Sequence, residues 1–127
     1  MYLIDSDVLI HFLKGEKEAV KTIEKLQNQP LHVSVISVGE ILEGLLETKN
    51  KKKLVQFKEL LKSLIVVNIE YSIIEKFAQI RKLLRQKGML IDNFDLLIAS
   101  TCLIRDLTIV TNNVSHFKRI PGLKMNR

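Results

Sequence analysis

Four polar clusters in this chain each stand where an apolar run stops. They carry carboxylate or amide side chains, and they are Asp5-Ser6-Asp7, Glu40, Asp92-Asn93-Phe94-Asp95 and Thr111-Asn112-Asn113. If the fold gathers these clusters, their carboxylates repel one another unless a cation lies between them. Carboxylate oxygens are ligands that hard cations such as Mg²⁺ prefer. The clusters therefore predict a metal site, and on a chain of formal charge +6 a metal site of this kind predicts a nuclease.

A sheet whose strands end at one edge would bring the clusters together. Apolar or β-branched runs predict strands at residues 2–5, 32–36, 65–67, 108–111 and 123–125. Runs with helical periodicity predict helices at residues 8–13, 17–29, 37–48, 53–64, 71–86 and 94–104. Strands that alternate with helices predict a three-layer α/β fold, with a mostly parallel central sheet and helices on both faces. Ligands bind at the carboxyl edge of such sheets, where the clusters are expected.

Length, composition and cysteine content limit the class of protein. The 127 residues, 46% of them hydrophobic, suit one domain over residues 1–127 with a full core. Cys102 is the single cysteine and lies in an apolar run, so we expect a core residue of an intracellular protein. Asp5 and Asp7 interrupt the first apolar stretch, which disfavours a signal peptide. No segment approaches the roughly 20 apolar residues that span a bilayer, so we expect a cytoplasmic protein without membrane contact.

Each acidic cluster also has a purely structural interpretation. The segment from Ser37 to Glu40 matches a capping box, in which Glu40 bonds back to the Ser37 amide. Asp92 is a candidate N-cap that would place Asp95 near the positive end of a helix dipole. The segment 111–113 suits a turn. The first helix has three candidate caps, Asp5, Ser6 and Asp7. These interpretations are compatible with a metal site, because a helix N-terminus can fix a carboxylate that an ion then uses.

The clusters, taken in order, resemble the motifs of PIN-domain ribonucleases. The opening strand and turn of that family resemble residues 2–10, and its second acidic motif resembles residues 37–44. Its third motif resembles residues 95–100, and its fourth resembles residues 109–113, followed by His116-Phe117. The resemblance runs essentially end to end. The length suits the VapC-like toxins of prokaryotic type II toxin–antitoxin pairs.

The resemblance implies an endoribonuclease that needs Mg²⁺ or Mn²⁺ and cleaves structured RNA such as tRNA or rRNA. Asp5, Glu40 and Asp95 match the family's three most characteristic acidic positions, and are expected to be catalytic and to bind the metal. Asn113 stands where the wider family usually has Asp, so one negative charge is missing. Asn113 can bind a metal through its carbonyl oxygen or hydrogen-bond to a metal-bound water, and Asp7 or Asp92 can replace part of the missing charge. We expect one metal held tightly and any second ion weakly. Supporting roles are expected for Ser6, Asp7, Asp92 and Thr111.

Several basic side chains are candidates for contacts with the RNA backbone. Contacts of this kind contribute affinity and salt dependence without reading sequence. The candidates are Lys14, His116, Lys118 and Arg119. The family resemblance also implies a homodimer and a cognate antitoxin protein whose tail occupies the acidic site.

Four other interpretations compete with the toxin. A receiver-type signalling domain needs an Asp at the end of a middle strand, and Val66-Val67-Asn68 offers none. An inactive PIN-fold binding module would explain Asn113, but Asp5, Glu40 and Asp95 are all present. A housekeeping RNA-processing nuclease would share the chemistry and differ in its biological role. The positive charge taken alone also suits a merely solubilising surface.

Overall fold

A computed structural model describes residues 1–126, in which five strands alternate with seven helices. The strands are β1 (Tyr2–Ile4), β2 (Leu31–Ser34), β3 (Ile65–Val67), β4 (Thr108–Val110) and β5 (Met125–Asn126). The helices are α1 (Ser6–Leu13), α2 (Lys17–Leu26), α3 (Val35–Thr48), α4 (Lys51–Leu61), α5 (Tyr71–Gln86), α6 (Asn93–Arg105) and α7 (Val114–Phe117).

The strands form a single sheet in the order β3-β2-β1-β4-β5, and the pairings between described strands are all parallel. Leu3 of β1 is paired with His32 of β2 on one side and with Ile109 of β4 on the other. The chain builds outward from β1 to β3 and then returns to β4, so the strand order reverses between β1 and β4. A crevice opens at the carboxyl edge of a parallel sheet at such a reversal.

Alternate side chains of the central strands point into two separate apolar layers. Leu3 and Ile109 pack with α5 and α6, whereas Ile4 and Val110 pack with α1 to α4. This alternation follows from the two-residue repeat of a strand, which sends successive side chains to opposite faces. Helices therefore cover both faces of the sheet, and the predicted three-layer α/β fold is confirmed. The described sheet is wholly parallel, where the sequence predicted a mostly parallel one.

The predicted capping box at Ser37 is wrong. Helix α3 begins two residues earlier, because Ser34 caps it by accepting a hydrogen bond from the Ile36 amide at 3.1 Å. Ser37 lies inside the helix and is fully buried, and its hydroxyl has no hydrogen-bond partner among residues 1–126. Glu40 consequently stands in the second turn of α3, where its carboxylate is free to reach another element.

Hydrogen bonds identify the N-caps of the other two helices near the site, α1 and α6. Asp5 is the N-cap of α1, and its carboxylate accepts a hydrogen bond from the Ser6 amide at 2.8 Å. Of the three candidate caps for this helix, Ser6 and Asp7 therefore lie inside it. The predicted N-cap of α6 is confirmed, since Asp92 accepts from the amides of Phe94 and Asp95 at 3.0 and 3.4 Å. Helix α7 follows Asn113 directly and was not predicted.

Two features bear on the expected class of protein. Cys102 is 1% exposed within the apolar layer beside α6, and burial raises the pKa of its thiol. It is thus the inert core residue that the sequence indicated. Within residues 1–126, none of the helices combines the length and apolar character needed to cross a bilayer.

Candidate active site

The three candidate catalytic carboxylates emerge from different elements at the carboxyl edge of the sheet. Asp5 directly follows β1, and its amide donates to the Val110 carbonyl at 2.9 Å, so the β1–β4 ladder fixes it. Glu40 lies in α3, which begins where β2 ends. Asp95 lies in the first turn of α6, and Thr111 follows the end of β4. The crevice between β1 and β4 therefore has acidic side chains at its mouth.

Asp5 and Glu40 are joined through Ser6. The Ser6 amide donates to one carboxylate oxygen of Asp5, and its hydroxyl donates to Glu40 Oε1 at 2.8 Å. Thr111 donates its hydroxyl to the other oxygen of Asp5 at 2.7 Å. Both oxygens of Asp5 thus accept a hydrogen bond, and the orientation of the carboxylate is fixed. The predicted supporting residues Ser6 and Thr111 contact the two catalytic candidates directly.

Asp95 is connected to the same network through Asn113. The Asn113 amide donates to the Thr111 hydroxyl at 2.9 Å, and its side-chain nitrogen donates to Asp95 Oδ2 at 3.3 Å. His116 Nδ1 lies 3.2 Å from the same oxygen and 2.9 Å from the Asn113 nitrogen. A continuous chain of contacts therefore runs from Glu40 to Asp95, so the fold brings all three carboxylates into one site.

Asn113 presents its nitrogen to Asp95, which explains why an amide is tolerated where a carboxylate was expected. A second carboxylate at this position would repel Asp95, whereas an amide N–H donates to it. The expected binding of a metal by the Asn113 carbonyl stays a prediction.

Asp7 and Asp92 hold the backbone around the site. Asp7 accepts from the Val8 amide at 2.7 Å and from the Asn112 amide at 3.2 Å, which ties the start of α1 to the segment after β4. Asp92 caps α6 and so fixes the turn that carries Asp95. Both residues have their carboxylates engaged with backbone amides, and their supporting role in replacing the missing negative charge stays a prediction.

Burial disfavours the ionised form of the carboxylates in this site. Asp5 is 4% exposed, and burial raises its pKa to about 7 against the opposing hydrogen bonds from Thr111 and Ser6. The negative charges of Asp7 and Asp95 add to that increase. Burial also raises the pKa values of Glu40 and Asp95, and neighbouring carboxylates reinforce both shifts. A bound cation would offset this repulsion between the carboxylates.

The donor set suits a divalent ion that keeps much of its water. Within the described part of the chain, no three His, Cys, Asp or Glu side chains are arranged to enclose an ion by themselves. Mg²⁺ dehydrates reluctantly and is commonly bound through one or two carboxylates. The negative charge of Asp95 adds to the rise in the pKa of Asp5, and a divalent cation relieves that repulsion. The residues therefore fit a hydrated Mg²⁺ or Mn²⁺.

The four basic candidates for RNA contacts differ in where they lie relative to the carboxylates. His116 belongs to the site through Asp95. Lys118 is exposed just after α7, and Arg119 donates to the Leu90 carbonyl at 3.1 Å. Lys14 ends α1, nine residues after Asp5. That is about 13 Å along a helix axis, so the fold does not bring Lys14 to the carboxylates.

Phe94 is a residue of this site that the sequence analysis did not single out. Its side chain is 49% exposed and lines a groove of about 600 Å³ together with Ser6 and Glu40. The sequence placed it in an apolar helix packed on the sheet, and most of that helix is indeed buried. The available signal was its position inside the polar Asp92–Asp95 cluster, at the start of the helix.

The chain is similar over nearly its whole length to known proteins. A family profile described as PIN domain matches residues 2–123. Ribonuclease VapC1 of Methanocaldococcus jannaschii is 36% identical over 125 residues, which is 97% of this chain and 85% of that protein. The tRNA(fMet)-specific endonuclease VapC of Salmonella typhimurium is 26% identical over 98% of this chain and 95% of its own. The crystal structure of VapBC2 from Rickettsia felis, bound to a DNA fragment from its promoter, includes a chain with TM-score 0.91. That chain is 28% identical, and the match covers 98% of this chain and 96% of the other.

Proposed function

Because the chain belongs to the PIN-domain family, we propose that it is a Mg²⁺- or Mn²⁺-dependent endoribonuclease and the toxin of a toxin–antitoxin pair. One observation carries the enzymatic part of the proposal. A continuous set of hydrogen bonds joins Glu40, Asp5 and Asp95, which are separated in sequence, at the carboxyl edge of the sheet. The ribonuclease names of similar proteins support RNA as the substrate. Structured RNA such as tRNA or rRNA is the class that we propose.

The residues present fit a metal held mainly by Asp5 and Asp95, with Glu40 and Asn113 as further candidates. When bound, a divalent cation lowers the pKa of water and offsets negative charge on the phosphoryl oxygens. The other contributions come from the chain itself. Ser6 and Thr111 hold the carboxylates of Glu40 and Asp5 in fixed orientations, so the site needs little rearrangement when substrate enters.

The proposed reaction is hydrolysis of a phosphodiester bond. The oxygen of water forms a bond to phosphorus, the bond from phosphorus to the leaving oxygen breaks, and the leaving oxygen acquires a proton. Glu40 is the candidate base that takes the proton from the attacking water. Its pKa is raised by burial and by nearby carboxylates, which makes it a better proton acceptor near neutral pH.

The second part of the proposal is a cognate antitoxin whose tail enters the acidic site. The similarity to a toxin–antitoxin structure supports it. A groove of about 400 Å³ beside α1 and α3 supports it further, because the surface exposed inside it is mainly apolar. Its apolar members are Ile10, Leu13, Ile41 and Leu45. An amphipathic helix is a common occupant of such a groove.

We also propose a homodimer. Two isoleucines support it, because Ile74 and Ile104 are 43% and 37% exposed on the packed helices α5 and α6.

The decisive experiment maps new 5′ ends in total cellular RNA after incubation with purified protein and Mg²⁺. Total RNA presents folded tRNA and rRNA together, so the substrate need not be chosen beforehand. The wild type should produce discrete ends, and Asp95→Asn should produce none. Asp106→Asn is a matched control, because Asp106 caps the other end of α6 in a left-handed conformation that Asn tolerates.

Discrete ends made by the wild type and Asp106→Asn alone would support the nuclease. Equal cleavage by Asp95→Asn would contradict the assignment of the site. Absence of cleavage together with absence of Mn²⁺ binding would favour an inactive binding module. Growth arrest on induction, relieved by the product of an adjacent gene, would distinguish a toxin from a housekeeping nuclease.

A further inference from the structure

We propose that Phe94 is a stacking platform for one unpaired nucleobase of the RNA, next to the phosphate that is cleaved. The inference rests on the proposed function, since it takes RNA as the substrate. It adds a binding subsite for a neutral, flat, aromatic group beside the carboxylates. Bases that are splayed out of single-stranded loops are typically held by stacking on aromatic side chains.

The exposure of Phe94 sets it apart from its own helix. It is 49% exposed, whereas Leu96 and Ile98 of α6 are fully buried. Its backbone is fixed, because its amide donates to the Asp92 carboxylate at 3.0 Å. The backbone that carries the ring is therefore held before a ligand arrives. Only the side-chain torsions of Phe94 remain to be ordered on binding.

The groove beside Phe94 has a lining of mixed character. Its apolar side chains are Ile10, Val35, Ile36 and Phe94. Its polar side chains are Ser6, Glu40 and Glu43. Gly39 leaves additional space, since a methyl group built there would meet no other part of the molecule within 4 Å. A lining that combines apolar and polar side chains suits a base, which has apolar faces and polar edges.

Charge decides which part of a nucleotide can enter. The groove of about 600 Å³ contains two glutamates, which repel a phosphate group and tolerate a neutral base. Glu40 is also bonded to Ser6, so the groove is continuous with the catalytic site. RNA must approach this site if it is to be cleaved, which favours a base over a protein side chain as the occupant.

Stacking on a single aromatic ring predicts a measurable loss when the ring is removed. Alanine substitutions of stacking residues correspond to about a 5- to 150-fold loss of affinity. Every base has a face that can stack, so the loss should be similar whichever base stands at that position. Phe94 would thus position the RNA without selecting its sequence.

The experiment compares Phe94→Ala, Phe94→Leu and Phe94→Trp. Tyr71→Ala is the matched control, because Tyr71 is 78% exposed and begins α5 next to its N-cap Glu70, which pairs with Arg105 at the far end of α6. The probe is an RNA that contains 2-aminopurine, whose fluorescence falls on stacking, next to the cleavage position found by end mapping. If no cleavage occurs, the probe is a single-stranded 2-aminopurine oligonucleotide. Binding is measured without metal, and cleavage with Mg²⁺.

We expect Phe94→Ala and Phe94→Leu to bind about 5- to 150-fold more weakly and to lose quenching of the probe. Phe94→Trp should restore both, and Tyr71→Ala should behave as the wild type. A Leu variant with unchanged binding and quenching would overturn the stacking role. Unchanged RNA binding by Phe94→Ala, together with loss of binding to a partner protein, would also overturn the stacking role. That result would assign the Phe94 ring to the contact with the partner.

The same measurements separate this inference from the proposed nuclease. If the wild type cleaves RNA and Phe94→Ala binds and cleaves equally well, the inference fails and the nuclease stands. If the wild type binds the probe and quenches its fluorescence without cleaving RNA, and Phe94→Ala neither binds nor quenches, the stacking role of Phe94 stands and the nuclease fails. A wild type that neither binds nor cleaves RNA overturns both.

Discussion

Replacing Asp5 with Asn should make the metal-free protein more stable at alkaline pH. Asp5 is 4% exposed, and burial raises its pKa from 3.8 to about 7. The unfolded chain therefore releases this proton more readily than the folded chain does. The contribution of Asp5 to stability is fully present below pH 3.8, declines as the pH rises towards 7, and is lost above that value.

The size of the effect follows from the two pKa values. The difference between 3.8 and about 7, at about 1.4 kcal/mol per pH unit, corresponds to about 4 kcal/mol. Asn retains the cap of α1, because its carbonyl oxygen can accept from the Ser6 amide. Its side-chain NH₂ can donate to the Thr111 hydroxyl, which has acceptor capacity for it. The variant thus removes the titrating group with little change of shape.

The assay is urea denaturation in EDTA from pH 4 to pH 8, followed by circular dichroism. The difference in unfolding free energy between Asp5→Asn and wild type should increase by about 4 kcal/mol across this range. Taking the difference cancels the titrations of groups that do not interact with Asp5. A difference that stays constant to within about 1 kcal/mol would refute the argument that burial raises the pKa of Asp5.

Addition of Mg²⁺ at pH 8 provides a second arm of the same experiment. A ligand at 100 times its dissociation constant stabilises the folded state by about 2.7 kcal/mol. The wild type should gain stability in this way, and Asp5→Asn should gain much less, because it lacks one carboxylate of the site. Equal stabilisation of both proteins would exclude Asp5 as a ligand.

Three further perturbations test other contacts. Thr111→Val removes the hydroxyl that lowers the pKa of Asp5, so in EDTA the loss of stability with rising pH should extend to a pH about 1 unit higher than in the wild type; an unchanged pH dependence would contradict this. Asp92→Ala removes the cap of α6 and should cost about 1 kcal/mol in urea denaturation, with Asp92→Asn close to wild type. Phe57→Ala empties a fully buried position and should cost about 3–5 kcal/mol by the same assay, while cleavage per folded molecule stays unchanged. A loss below about 1 kcal/mol would show that the core closes around the gap.

Local patterns were sufficient for most of the scaffold. Helix α5 and strand β3 have the predicted bounds, because periodicity and capping signals act within a few residues of each element. The Asp92 cap is equally local, since its partners are two and three residues away. The carboxyl edge of the sheet could be predicted for the same reason, because strands that alternate with helices run parallel and end on one side.

The connections within the site depend on contacts between residues far apart in the chain. Ser6 and Glu40 are 34 residues apart, and Thr111 and Asp5 are 106 apart. Local sequence favoured a capping role for Glu40, and only the approach of α1 to α3 gives its carboxylate the Ser6 hydroxyl instead. The side-chain amide of Asn113 faces Asp95 because α7 and α6 meet at this edge.

The same distinction explains a placement that the sequence did not foresee. Phe94 has an apolar aromatic side chain of the kind that is typical of a core, yet it remains half exposed at the first turn of α6. Residue type fixes what a side chain can do chemically. Its neighbours are fixed by the packing of whole helices on the sheet, which no short stretch of sequence encodes.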